Sequence, residues 1–338
     1  MTEIIIYAVL GLGGLLAGGS ILIPGVVSLA RQMGLPAVAV TVIVIAGGTS
    51  TPELIVSVDA ALVGSPGIVW GNLIGSNIAN IALVLGLGML VQPVTADATN
   101  NRQLTGLLLV TLLIGGICLT GGMTGLSRYL YSSALLAGFA VYLFWLLRHT
   151  TDPHYANTQP FEQHRTKYSQ SDEKLHKTTK GSLAEDMSLT KAAAFAVGGV
   201  ICLVAGADAF VWSGAELARS YGWSEDVIGL TIVAVGTSLP EIISLLASLQ
   251  HRRHDIALGS VVGSNLFNFT LVLGTAGLSG SLPASDLSGQ FMMPILFTLT
   301  AILVVCTTLN QPLGRRSGFV FIGFYLAFLS LNLSMYNA

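Results

Sequence analysis

Residues Gly48 to Glu53 read GTSTPE, and Gly236 to Glu241 read GTSLPE 188 positions later. A second motif follows each at one spacing: Gly75-Ser76-Asn77 with Asn80, then Gly263-Ser264-Asn265 with Asn268. The same offset carries Leu29-Ala30-Arg31 onto Leu217-Ala218-Arg219, Leu83 through Gly86 onto Leu271 through Gly274, and Cys118 onto Cys306. The chain is therefore two copies of one unit, and each copy sets a carboxylate inside an apolar stretch.

Charged residues make up 9% of the chain, against roughly 25% in soluble domains, and mean hydropathy is +0.74. Apolar runs recur along nearly the whole length, the mark of a polytopic membrane protein. Ten spans are expected, near 4–30, 36–63, 67–91, 103–122, 128–148, 189–218, 225–250, 255–280, 290–309 and 317–336. With the N-terminus outside, all of the 15 Lys and Arg residues except Arg128 and Arg219 fall at cytoplasmic ends or loops. That asymmetry predicts both termini outside, in the cell (inner) membrane. The N-terminus lacks the basic flank of a signal peptide, so the first span is expected to stay. Cys118, Cys202 and Cys306 fall inside spans and read as small buried hydrophobes rather than disulfide or metal residues.

Five spans per copy is an odd number, so the second copy enters the membrane the opposite way round. The predicted fold is all-α, with ten transmembrane helices in two inverted-topology five-helix repeats, residues 1–148 and 189–338. Inverted repeats are a transporter architecture with the site near midplane. Residues 149–188, polar and carrying His149, His154, His164 and His176, are expected to be a solvated cytoplasmic linker. Spans one and six are long and glycine-rich, and are the expected gating bundle.

Pro52 and Pro240 lack an N–H and crowd the carbonyls of Gly48 and Gly236, so the helices should open there. Freed carbonyls in hydrocarbon are tolerated where they line a cavity or bind something. Glu53 and Glu241 lie near midspan, where an ionised carboxylate costs several kcal/mol unless paired. No Lys, Arg or His shares their depth. Either the glutamates carry protons or a cation neutralises them, and an all-oxygen site suits hard ions such as Ca²⁺ and Na⁺. Ser76 and Asn80, like Ser264 and Asn268, are four apart and share one helical face. Hydrogen bonding between helices is the alternative role for these four.

The GTS-x-PE and GSN-x-x-N pairs resemble the two α-repeats of the Ca²⁺/cation antiporter superfamily, in its prokaryotic sodium/calcium exchanger branch. The resemblance covers essentially all ten spans. It implies that Glu53 and Glu241 ligate Ca²⁺ and compete for Na⁺, with backbone carbonyls supplied at Thr49 and Thr237. Additional Na⁺ positions fall on Ala46, Ser50, Ala234, Ser238, Ser76 and Ser264, and Asn80 and Asn268 match polar positions flanking the centre. It further implies more than two Na⁺ per Ca²⁺. Some relatives carry Asp where this chain has Asn268, which weakens a case for K⁺ coupling. Gly47 stands where the second copy has the bulkier Val235, so the first bend should be looser. Asp59 reads as a solvated rim residue and Asp208 as an interhelical hydrogen-bond partner.

The resulting expectation is Na⁺/Ca²⁺ antiport by alternating access at one shared site. Ca²⁺/H⁺ antiport and a passive cation channel are the alternatives. No enzymatic nucleophile–base pair or zinc motif occurs, so no enzyme, cofactor or nucleic-acid partner is expected. The expected partners are Ca²⁺, Na⁺ and the lipid bilayer.

Overall fold

Two 32-residue helices, α1 (Thr2–Met33) and α7 (Leu189–Ser220), form one antiparallel pair. Each would extend about 48 Å at 1.5 Å per residue, well beyond the hydrocarbon thickness. Glycines let their backbones meet: a Cβ at Gly18 would lie 2.8 Å from the Gly199 carbonyl, and one at Gly206 would lie 2.7 Å from the Leu15 nitrogen. At Gly25 it would lie 2.6 Å from the nitrogen of Ala196. The two long helices are thus locked backbone to backbone, as small-residue helix pairs are in membranes. The computed structural model describes all residues except 36, 95, 97, 150–186, 223–233, 252, 286, 310, 312, 337 and 338. All of the expected linker but His149, Met187 and Ser188, and with it His154, His164 and His176, lies outside the described residues, as does the first part of the seventh expected span.

Beside this pair, α2 (Ala37–Thr49) and α3 (Thr51–Leu62) meet at a 51° bend. Their counterparts are the short α8 (Ala234–Gly236) and α9 (Leu239–Gln250). The centre is made by α4 (Pro66–Val91) and α10, which runs from His254 through Ser279. Of the apolar window in each, 67% and 94% respectively is buried. The outer helices are α5 (Ala98–Leu119), α6 (Ser127–His149), α11 (Leu287–Thr308) and α12 (Arg315–Tyr336). Their windows are less covered, 39% for α5 and α11 and 17% for α6, which leaves apolar faces outward. Among the described residues, seven helices, and the bent pair as an eighth, are long and apolar enough to cross a membrane. Among the described residues the helices coincide with the spans expected from hydropathy, within a few residues at each end.

Contacts between loops fall into two sets, one at each end of the helices. At one end β1 (Gly122–Met123) pairs antiparallel with β2 (Leu282–Pro283), and Trp70 Nε1 donates to the Pro283 carbonyl at 3.1 Å. At the other, Val94 bridges Leu313, Arg315 Nε donates to the Leu90 carbonyl at 3.1 Å, and Gln32 Nε2 donates to the Met187 carbonyl at 2.9 Å. Every one of these contacts joins loops or helix ends that the charge pattern assigns to the same side. Of the cysteines, Cys118 is buried while Cys202 and Cys306 are partly exposed, and all three are free.

Candidate functional site

The bend between α2 and α3 falls at Ser50, whose φ and ψ of −86° and 5° leave the helical range. Ser238 adopts the same turn, at −88° and 2°. Each proline then occupies the first turn of the helix that restarts, where a missing N–H costs nothing and the fixed φ is already helical. The expected opening between each motif glycine and its proline thus falls at the serine two residues before the proline, and the ring starts the new helix. Each motif glycine faces a valine of α7, Gly48 against Val200 and Gly236 against Val211, and has no room for a side chain.

This geometry puts Glu53 and Glu241 in the first turns of α3 and α9, where helix N–H groups favour negative charge. Both are 4% exposed. Glu53 Oε2 and both carboxylate oxygens of Glu241 are buried without a hydrogen-bond partner. The two carboxylates lie within electrostatic reach of one another, and the Thr49 side chain stands beside Glu241, its hydroxyl turned to the Ala46 carbonyl at 3.5 Å. Ser50 Oγ is likewise buried and unpartnered, and Ala46 and Ser238 are buried. Ala234 stands two residues before the same motif in the second copy, and its side chain lies outside the described residues. Among the described residues no group of three His, Cys, Asp or Glu side chains assembles. What converges here is oxygen: two acids, hydroxyls and carbonyls, the donor set of hard cations.

Both centre helices pass through a π-helical turn beside these glutamates, Asn80–Val84 in α4 and Asn268–Val272 in α10. The turn carrying Asn268 packs against α3, which carries Glu53, and the turn carrying Asn80 packs against α9, which carries Glu241. A third π turn, Thr41–Ala46, precedes the first motif. Such turns cluster at functional sites, and hydropathy gives no sign of them. Asn80 and Asn268 are both hydrogen-bonded between helices: Asn80 Nδ2 donates to Asn265 Oδ1 at 2.9 Å, and Asn268 Nδ2 donates to Ser76 Oγ and Asn77 Oδ1, each at 3.1 Å. Asn268 Oδ1 remains buried and unpartnered. Ser264 is buried.

Three residues outside the expected set belong here. Asn72 Nδ2 donates to the Glu53 carbonyl at 3.3 Å and to Ser57 Oγ at 3.0 Å, tying α4 to the glutamate's helix. Its counterpart in the second copy is Ser260, so repeat matching alone does not point to it. Asn77 and Asn265, inside the quoted motif, join α4 to α10. The first bend is also filled rather than loose: the space over Gly47 holds the Phe267 ring, 3.2 Å from where a Cβ would be. The position equivalent to Phe267 in the first copy is Ala79.

The two motifs differ in access. Thr49 is 1% exposed, whereas Thr237 is exposed. Asp59 is exposed, as a rim residue should be. Asp208 is also exposed and makes no interhelical hydrogen bond among the described residues, because it lies off the face that α7 turns toward α1.

A family model described as sodium/calcium exchanger protein matches residues 3–148 and 191–334. Sodium/calcium exchanger MaX1 of Methanosarcina acetivorans is 27% identical over 340 residues, covering 95% of each chain. Inner membrane protein YrbG of Escherichia coli is 28% identical over 305 residues, covering 90% of this chain and 88% of its own. A solved structure of the sodium-calcium exchanger NCX_Mj, soaked with zero Na⁺ and Ca²⁺, superposes with a TM-score of 0.79 at 27% identity. It covers 98% of this chain and 99% of that one.

Proposed function

Because the chain belongs to the sodium/calcium exchanger protein family, we propose that it exchanges Na⁺ for Ca²⁺ by alternating access at the Glu53–Glu241 site. The observation that carries this reading is the pair of buried glutamates with three partnerless carboxylate oxygens and, among the described residues, no ion pair to neutralise them. A Ca²⁺ ion between them offsets two charges, and Na⁺ ions on overlapping oxygens do the same. Thr49, Ser50 and Ala46 from one motif, and Thr237, Ser238 and Ala234 from the other, line these positions, with Ser76, Ser264, Asn80 and Asn268 supplying the far wall. Crossing with the site empty would leave two like charges unpaired in low dielectric, which costs several kcal/mol. Exchange is obligate for that reason.

Ten spans in two inverted repeats, 1–148 and 189–338 around a cytoplasmic linker, with both termini outside the inner membrane, complete the proposal. Loop contacts that always join same-side loops support it, and so does the relative described as an inner membrane protein. In this topology Thr237 lies on the outer side of its glutamate and Thr49 on the cytoplasmic side of its own. Exposure of the first and burial of the second favour a site open to the outside. The locked pair α1–α7 is the element that moves, as one body.

The test is ⁴⁵Ca²⁺ uptake into proteoliposomes loaded with Na⁺, K⁺ or choline at clamped pH, beside Glu53→Gln and Glu241→Gln. Uptake with internal Na⁺ alone, lost in both variants, is the expected result. Uptake driven by a pH gradient, and unaltered by Ser50→Ala with Ser238→Ala, would move the protein to proton coupling. Uptake that needs no counter-ion would refute antiport.

A further inference from the structure

Asn77 and Asn265 occupy equivalent positions and bond to each other's main chain. Asn77 Nδ2 donates to the Asn265 carbonyl at 3.4 Å, and Asn265 Nδ2 donates to the Asn77 carbonyl at 3.3 Å. A main-chain carbonyl only accepts, so each of these side chains must present its NH₂ to the partner helix. Each is therefore left with its oxygen facing the next asparagine. Asn77 Oδ1 receives Asn268 Nδ2, and Asn265 Oδ1 receives Asn80 Nδ2. Ser76 has already given its hydrogen to the Leu73 carbonyl at 3.2 Å, so toward Asn268 it too is an acceptor.

Orientation thus propagates from backbone to side chain to side chain. A carboxamide that rotates by half a turn exchanges a donor for an acceptor, and by itself Asn268 or Asn80 has no preference. Here a flipped Asn268 would set its oxygen against two acceptors, Ser76 Oγ and Asn77 Oδ1. In the observed orientation its oxygen is buried with no partner at all, on the π turn that packs against the helix of Glu53. A lone carbonyl oxygen in that place suits a cation; an NH₂ there would repel one.

We propose that Asn77, fixed by its reciprocal bonds with Asn265, is a positioning residue that holds Asn268 with its carboxamide oxygen free for the transported cation. Neither is a ligand, since both functional groups of each are consumed. The inference rests on the cation site proposed above but not on which ion drives exchange. All four asparagines are 2% exposed or less.

The experiment is a double-mutant cycle on the half-saturating Ca²⁺ concentration in proteoliposomes: Asn77→Ala, Asn268→Ala and the double variant, with maximal rate read per folded protein. Asn77→Ala should raise half-saturation roughly tenfold, the scale of one hydrogen bond to a charged group, with a much smaller change in maximal rate. In the double variant the effect should not exceed that of Asn268→Ala alone, because Asn77 acts through Asn268. Additive effects, or an Asn77→Ala protein with lower yield and unchanged half-saturation, would overturn the proposal. If Asn77→Ala does not fold, Asn77→Ser runs the same cycle. The readout is Ca²⁺ affinity whichever ion drives uptake, so failure of Na⁺ coupling leaves the cycle interpretable.

Discussion

Neighbouring glycines on α7 offer a matched test of the backbone contact between the long helices. A methyl group at Gly199 would stand 2.8 Å from Cα and Cβ of Leu22 and 3.1 Å from its nitrogen, whereas at Gly198 nothing lies within 4 Å. Both substitutions to alanine gain the same helix propensity, about 0.8–1.0 kcal/mol. Only Gly199→Ala must also push α1 back by about 0.6 Å, to reach ordinary contact. Overpacking of that order costs about 1–3 kcal/mol. Gly198→Ala should therefore be about 1 kcal/mol more stable than the parent, and Gly199→Ala about 0–2 kcal/mol less stable. The difference between them, about 1–3 kcal/mol, is independent of propensity. Unfolding in mixed micelles by SDS titration, followed by circular dichroism, measures it. Equal stabilisation by both substitutions would mean that the two helices do not meet backbone to backbone, and the single-body motion proposed for them would lose its basis.

Two further outcomes can be checked. Phe267→Ala should destabilise the fold by about 3–5 kcal/mol, and adding Gly47→Val should restore part of that loss, since the new side chain enters the space the ring vacates; no recovery in the same unfolding assay would show that Phe267 does not fill the first bend. Asn72→Leu removes the side-chain bonds to the Glu53 carbonyl and Ser57 Oγ, about 0.5–1.5 kcal/mol each, and should raise half-saturation for Ca²⁺ more than Asn101→Leu, a change remote from the motif; equal effects would remove Asn72 from the site.

Much of this architecture is legible in the chain because a long apolar helix writes its length directly into composition. Spans, their order and the pairing of Glu53 with Glu241 follow from hydropathy and the repeat. What the repeat hides is whatever breaks it. Asn72 corresponds to Ser260, Gly47 corresponds to Val235 and Thr49 is covered where Thr237 is not, so matching one copy to the other averages these away. The π turns are invisible for another reason: one extra residue per turn changes no residue type. The local role of proline is not legible, because sequence says that a helix must change there, but not whether the ring ends one helix or begins the next. Asp208 was misassigned because its polarity was visible while the face of α7 that carries it was not.

The reciprocal bonds of Asn77 and Asn265 have a consequence for origin. They join a residue to its own equivalent, so the contact is isologous: two separate, identical five-helix units inserted in opposite directions could make both bonds with each other. Phe267 over Gly47 is the opposite kind of contact. Two copies of the first unit would set Ala79 against Gly47 and leave a hole; two copies of the second would force Phe267 against Val235. That packing needs two different halves. The asparagine knot is a feature a homodimer could have owned, and the filled bend is one that became possible only after the halves were free to diverge.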